Sequence, residues 1–172
     1  MKFHRSNPQT VELGFLPSGI AGTRATLALM AKVARVGKRS LPVRTVAQYL
    51  TRKTLQRDFW GEISTLTKFV RDRIRYVRDV RNVETIQTPE VTLRQMAGDC
   101  DDKATLLSAL LESIGHHTRF DAFAFNPDEY THVLTSVKYG GEWIPLETTL
   151  FVAPGELPFS RVSSILSKEV EP

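Results

Sequence analysis

The only cysteine among 172 residues, Cys100, lies in the run Gly98-Asp99-Cys100-Asp101-Asp102, where a turn is predicted to become the first turn of a helix. Asp99 is a favourable N-cap, and Asp102, three residues later, can complete a capping box. The free N–H groups and positive dipole end of a helix start favour a thiolate and can hold a developing oxyanion. Asp101 and Asp102 oppose the thiolate in part. The pattern therefore predicts a cysteine nucleophile.

A thiol nucleophile needs a base, and the chain offers His132, followed fifteen residues later by Glu147. The glycine pair at 140–141 predicts a two-residue hairpin loop, which would pair Tyr139 with Glu142. Continued in that register, the ladder places His132 and Glu147 diagonally on one face, on the order of 7 Å apart between backbones. The carboxylate could then fix the imidazole tautomer and stabilise its charged form.

A cysteine at a helix start, with a histidine and a carboxylate on an adjoining sheet, suits acyl transfer through a thioester. Cys100 would attack an amide or ester carbonyl, and its own backbone N–H would help to hold the oxyanion. His132 would accept the proton and later return it, while Glu147 kept the ring aimed. Gln87 and Gln95 precede the cysteine, and either side chain could add an oxyanion donor. Their spacing does not choose between them.

The apolar periodicity predicts an α+β domain in which helices precede strands. Residues 1–19 are expected to form an extended lead-in, and residues 20–172 a single domain. Helices are predicted at about 23–37, 43–50 and 59–77, followed by an amphipathic helix that begins near residue 100 and ends at Gly115. Beyond it the period changes to two, which predicts strands at 119–125, 132–139 and 142–146, and a short helix at about 162–166.

The composition, 41% hydrophobic and 24% charged, is that of an ordinary globular protein. A single cysteine excludes an internal disulfide and a cysteine-rich zinc module, and it fits either a reducing or a redox-indifferent compartment. The most apolar stretch, 25–36, is interrupted by Lys32 and Arg35, so no membrane span or signal peptide is predicted. The acidic residues around Cys100 lack the glycine of a calcium loop, and no metal site is expected.

Charge is divided unevenly along the chain. Residues 1–99 contain 18 Lys and Arg against 8 Asp and Glu, whereas residues 100–172 contain 5 against 11. The arginines at 71, 73, 75, 78 and 81 alternate with apolar residues as the wet face of a helix would. No nucleic-acid motif accompanies them, so neither a nucleic acid nor a membrane is expected as a partner.

Several segments, in this order and spacing, resemble the transglutaminase-like superfamily of papain-like cysteine enzymes, and in particular its small phage and prophage members. They are Ile-Arg-Tyr at 74–76, Gln-Thr-Pro at 87–89, Gly-Asp-Cys-Asp-Asp-Lys-Ala at 98–104, Thr-His-Val at 131–133 and Trp-Ile-Pro-Leu-Glu-Thr at 143–148. The resemblance implies a papain-like core of helices packed on an antiparallel sheet, with no cofactor. The family usually has aspartate where this chain has Glu147, a side chain longer by one methylene.

This resemblance implies a peptidase or amidase that acts on a peptide or protein substrate through Cys100, His132 and Glu147. The alternative is a phage structural or assembly protein, of a virion or tail, that uses the fold as a binding module and contacts other phage proteins. Either function implies the cytoplasm of a bacterial host, with association with a virion in the second case.

Overall fold

The computed structural model describes residues 10–12, 19–78, 85–127 and 129–171. Its helices are α1 (Ile20–Gly37), α2 (Leu41–Thr51), α3 (Phe59–Arg73), α4 (Pro89–Gln95) and α5 (Cys100–Ser113). Its strands are β1 (Thr10–Glu12), β2 (Arg75–Tyr76), β3 (Thr85–Gln87), β4 (Ala97–Gly98), β5 (Thr118–Asn126), β6 (Glu129–Tyr139), β7 (Glu142–Leu146) and β8 (Ser164–Glu169). Within these residues no helix combines the length and the apolar character that a membrane crossing needs.

The helix that begins at Cys100 lies at the centre of the molecule. α5 contacts all four other helices and packs on the sheet through β6. Every residue from 102 to 111 is buried, so the prediction that this helix is amphipathic is wrong. A helix enclosed on all sides gains from apolar or paired residues around its whole circumference. The mixed class, with N-terminal helices packed on a C-terminal antiparallel sheet, is as predicted.

The four-stranded sheet has the order β7-β6-β5-β8 and is antiparallel throughout. Tyr139 pairs with Glu142 across the glycine pair, which confirms the predicted two-residue hairpin loop. Gly140 and Gly141 have φ values of 59° and 89°, as a turn of this kind requires. The β6–β7 ladder ends at Thr135 and Leu146, three positions before the register would have reached His132.

The short helix predicted at 162–166 is wrong, because Ser164–Glu169 forms an edge strand on β5. Burial along β8 alternates with a period of two, which is the strand pattern. Asp121 in β5 also ties the sheet together, since its carboxylate accepts hydrogen bonds from Ser136 in β6 and Ser167 in β8, each at 2.5 Å. The contact with Ser167 joins residues that lie 46 positions apart in the chain.

The long third helix ends at Arg73 rather than near residue 77. Ile74 is extended, and the next two residues pair in parallel with Ala97 and Gly98. The chain therefore leaves the helix to run beside the segment that leads into Cys100. The connection between residue 88 and α5, for which no helix was predicted, contains α4, with Pro89 in its first turn.

Part of the predicted lead-in is ordered. Thr10–Glu12 pairs antiparallel with Thr85–Gln87, so this part belongs to a two-stranded sheet rather than to a free arm. The rest of residues 1–18 lies outside the described residues, and the lead-in as a whole stays a prediction.

Candidate active site

Cys100 is the first residue of α5, and a complete capping box precedes it, as the sequence predicted. The backbone N–H of Asp102 donates to Asp99 Oδ1 at 3.1 Å, and the backbone N–H of Asp99 donates to Asp102 Oδ2 at 3.3 Å. The thiol thus lies where the helix has N–H groups available to an anion.

Asp102 also fixes this helix start to the strand that precedes α4. Its Oδ1 accepts the backbone N–H of Gln87 at 2.7 Å. A Cβ on Gly98 would lie 2.5 Å from the Asp102 Cβ, so only glycine fits at this close approach. The structure therefore brings Gln87 to the beginning of α5, whereas Gln95 is exposed at the end of α4. This favours Gln87 over Gln95 as the second oxyanion donor that the sequence left open.

His132 and Glu147 are in contact. His132 Nε2 lies 2.6 Å from Glu147 Oε2, and the Glu147 carboxylate is 1% exposed. An ionised carboxylate can only accept, so Nε2 carries the proton and Nδ1 is left as the basic nitrogen. The predicted contact is present although the ladder stops short of it.

The ladder stops because the chain turns around the Glu147 carboxylate. Glu147 Oε1 accepts from the backbone N–H of Thr149 at 2.5 Å, from its hydroxyl at 2.7 Å and from the backbone N–H of Leu150 at 3.2 Å. Burial alone would raise the pKa of Glu147. The hydrogen bond and charge of His132, together with the Thr149 donors, outweigh that effect and hold the pKa at about 2. The carboxylate is therefore charged at any pH near neutrality.

The nucleophile's helix is fastened to the histidine strand by packing and by one hydrogen bond. The Thr135 hydroxyl in β6 donates to the carbonyl of Ala104 in α5 at 2.8 Å. Cys100 packs in the same apolar cluster as Val133, the neighbour of His132. The nucleophile and the base candidate thus lie on facing elements. Within the described part of the chain no hydrogen bond joins their side chains, and the thiol donates instead to Asp101 Oδ1 at 3.4 Å.

The resting thiol differs from the sequence-based expectation. Burial raises the pKa of Cys100 above its ordinary range, and the carboxylates of Asp101 and Asp99 raise it further, whereas the backbone of Val133 lowers it. The helix start was predicted to favour the thiolate, but desolvation and two adjacent negative charges outweigh the dipole. Cys100 is therefore neutral at rest, and any chemistry at this sulfur begins with removal of its proton.

This arrangement predicts that Asp101→Asn makes Cys100 more reactive. Removing the negative charge lowers the pKa of the thiol. At a fixed pH below that pKa, each unit by which the pKa falls raises the thiolate fraction about tenfold. We expect faster alkylation of the variant by iodoacetamide at pH 7, followed by intact-protein mass. Glu142→Gln, at the exposed hairpin, is the matched control and should label at the parent rate. An unchanged rate in Asp101→Asn would mean that Asp101 does not oppose the thiolate.

Two residues near the site, Phe159 and Lys103, were not predicted as site residues. Phe159 lies edge-on to the His132 ring, with 5.3 Å between ring centroids, and also contacts Phe123 and Phe125. It belongs to the irregular segment between β7 and β8, where no periodicity marks it. The ring covers one side of the imidazole and limits its contact with water.

Lys103, one turn after the cysteine, is 2% exposed. Its ammonium group donates to the carbonyl of Ile74 at 2.8 Å and to that of Arg71 at 3.3 Å, at the end of α3. Burial lowers the pKa of Lys103 to about 8, while the charges of Glu147 and Asp72 oppose that change. Lys103 therefore joins α5 to the end of α3 inside the molecule.

One group of side chains could in principle hold a cation. Ligand atoms of Asp99, Cys100 and Asp101 lie within 4.8 Å of one another. Asp99 already accepts the capping hydrogen bond, and Asp101 accepts a hydrogen bond from the Cys100 thiol. Both contacts belong to the start of α5.

Two solved structures share this fold. One is a candidate protease from Parabacteroides distasonis, with a TM-score of 0.53 and 17% identity over 72% of this chain. The other is a candidate cysteine protease from Cytophaga hutchinsonii, with a TM-score of 0.52 and 18% identity over 76% of this chain. The matches span 26% and 52% of those two proteins. No curated protein matches the chain.

The sequence model of the Transglutaminase-like superfamily matches residues 41–148. The match covers well over half of the chain and includes Cys100, His132 and Glu147. It extends from α2 to the residue after Glu147, and so includes α5 and β5–β7 but neither α1 nor the edge strand β8. The membership supports a cysteine-dependent enzyme in general terms. This chain belongs to the Transglutaminase-like superfamily.

Proposed function

We propose that this protein is a cysteine-dependent acyl-transfer enzyme, most simply a peptidase or amidase that cleaves a peptide-like amide through a thioester. One observation supports it above the others. A buried glutamate holds the imidazole of His132 by its Nε2, on the strand that packs against the helix start bearing Cys100. The Glu147 carboxylate is itself held by three further hydrogen-bond donors, and a histidine fixed by a buried, charged carboxylate is typical of functional sites.

The reaction follows from these positions. His132 Nδ1 accepts the thiol proton, and the Cys100 sulfur attacks the carbonyl carbon of the amide. The oxyanion formed is held by the backbone N–H of Cys100 and by the side-chain amide of Gln87. The imidazolium then gives its proton to the leaving nitrogen as the C–N bond breaks. In the second half His132 Nδ1 takes a proton from the attacking water or amine acceptor, the C–S bond breaks, and the departing thiolate receives that proton from the imidazolium.

Glu147 acts as a positioning residue in this scheme. Its negative charge stabilises the imidazolium that forms when the thiol loses its proton. Because burial and the Asp101 carboxylate both oppose ionisation of the thiol, the thiolate–imidazolium ion pair needs the stabilisation that the Glu147 charge provides. Substrate binding that displaces the thiol from Asp101 would remove part of that opposition.

The second candidate is a binding module without catalysis, in a phage structural or assembly role. The raised pKa of Cys100 favours it, because an inert buried cysteine has the same property. The two candidates differ in whether His132 governs the reactivity of the thiol.

Alkylation across pH separates the two candidates. The protein would be treated with iodoacetamide between about pH 5 and pH 10, and the rate of modification followed by intact mass. We expect Cys100 to be modified faster in the parent than in His132→Gln across this range, because His132 takes up the thiol proton. His117→Gln, at an exposed site, should match the parent. A thiol that reacts only at high pH, equally in His132→Gln, would favour the binding module.

A further inference from the structure

A concave region lies between α3 and the segment that follows Glu147. Its cavity has a volume of about 430 Å³. One wall is a stripe along α3 formed by Trp60, Ser64, Lys68 and Arg71, and the other is the segment 151–154. We refer to this cavity as the α3 pocket. Its volume lies in the range of small-ligand sites in proteins.

The walls of the α3 pocket are held in place before any ligand binds. Arg71 Nη1 donates to the carbonyl of Val152 at 2.6 Å, and the guanidinium lies 4.2 Å from the centre of the Phe151 ring. The backbone N–H of Gly155 donates to the carbonyl of Pro145 at 2.9 Å, which anchors the same segment to β7. A preformed pocket loses little conformational entropy when it is filled.

Two donors in the wall are available to a ligand. Among the described residues Lys68 has no ion pair and Ser64 no hydrogen bond, and they lie one helical turn apart on the same face. Arg71 is already paired with Asp72, and the carboxylate of Glu156, which also lines the pocket, accepts the backbone N–H of Ala153. The Phe151 ring, 85% exposed, lies beside these donors. The pocket therefore offers an ammonium and a hydroxyl next to an aromatic surface.

Two short connections join the pocket to the candidate active site. Thr149 and Leu150, which bind the Glu147 carboxylate, run directly into Phe151. In the α3 wall, the backbone carbonyl of Arg71 accepts a hydrogen bond from the ammonium group of Lys103, which lies one helical turn after Cys100. The two walls of the pocket are thereby tied to the residues that hold the Glu147 carboxylate and to the helix that begins at Cys100.

We propose that the α3 pocket is a substrate subsite that takes an acidic residue of the peptide, with an adjacent apolar residue against Phe151. The carboxylate accepts from the Lys68 ammonium and the Ser64 hydroxyl. This assignment rests on the proposed function, since it specifies the class of peptide that the same site would cleave.

The test measures binding rather than turnover. The full chain, labelled with 15N, would be titrated with N-acetyl-glutamyl-phenylalanyl amide and, separately, with its glutaminyl counterpart. We expect saturable amide shifts at residues 64–71 and 151–154, and about fivefold weaker binding of the glutaminyl peptide, the effect of one exposed ion pair. Lys68→Gln should abolish that preference, and Lys32→Gln, exposed on α1, should retain it.

Equal binding of both peptides, shifts confined to other regions, or no saturable shift would each overturn the assignment. The readout does not depend on catalysis. If the glutamyl peptide binds at the pocket while Cys100 fails the alkylation test, the pocket stands as a peptide site and the proposed activity falls. If Cys100 passes and neither peptide binds, only the subsite is wrong.

Discussion

Cys100→Ser is expected to abolish acyl transfer and to leave the fold intact. A hydroxyl ionises far less readily than a thiol, and this site already opposes ionisation through burial and Asp101. The fold should persist because the capping box uses Asp99 and Asp102 rather than Cys100. With p-nitrophenyl acetate as the probe, the parent should release a burst of p-nitrophenol equal to the enzyme concentration, and the variant none.

Cys100→Ala is the matched control for this result. It should resemble Cys100→Ser in activity, and both should melt cooperatively near the parent temperature. A burst of the same size in Cys100→Ser would remove the cysteine from the mechanism. A loss of the cooperative melt would show that the thiol contributes mainly to packing beside Val133.

Glu147→Gln is expected to have the second largest effect, a loss of about 10³-fold or more in turnover, as for other orienting carboxylates. The amide keeps the shape but cannot balance an imidazolium. It can also present its NH₂ to Nε2 and so favour the wrong tautomer. Glu147→Asp keeps the charge and is the usual residue of the family, so its loss should be much milder. Glu142→Gln, at the exposed hairpin, should have no effect.

The same substitution has a signature in stability. Because the pKa of Glu147 is about 2 in the folded protein, below its ordinary 4.5, its charge stabilises the fold above pH 4.5. The contribution, on the order of 3 kcal/mol, is lost as the pH falls from about 4.5 towards 2. Urea denaturation at pH 7 and pH 3 should show this acid loss in the parent and less of it in Glu147→Gln. An equal acid loss in both proteins would contradict the assignment.

The local features of the site could be predicted from the sequence because adjacent residues determine them. The capping box needs only Asp99 and Asp102, and the hairpin loop needs only its two glycines. The hairpin loop brings β6 and β7 side by side, and the contact of His132 with Glu147 at 2.6 Å forms just beyond the end of their ladder. Their catalytic roles stay a proposal, to be decided by the experiments above.

The features that the sequence did not predict depend on residues far apart in the chain. The Ser167 hydroxyl in β8 donates a hydrogen bond to Asp121 in β5. Part of this strand was predicted as a helix because apolar and polar residues do not alternate in its sequence, although burial alternates in the structure. The early end of α3 depends on pairing with β4 and on the ammonium of Lys103. The pKa of Cys100 was predicted with the wrong sign because burial depends on the whole fold.

The pairing of β1 with β3 has a practical consequence for handling the protein. Gln87, the last residue of β3, donates its backbone N–H to Asp102 in the first turn of α5. One strand pair and one hydrogen bond therefore connect Thr10 to the start of the helix that carries Cys100, and a group attached before Thr10 can displace that helix start. A purification tag or fusion partner placed there would disturb the site that it was meant to report on. The carboxyl-terminal side, beyond β8 at the sheet edge, is the safer attachment point.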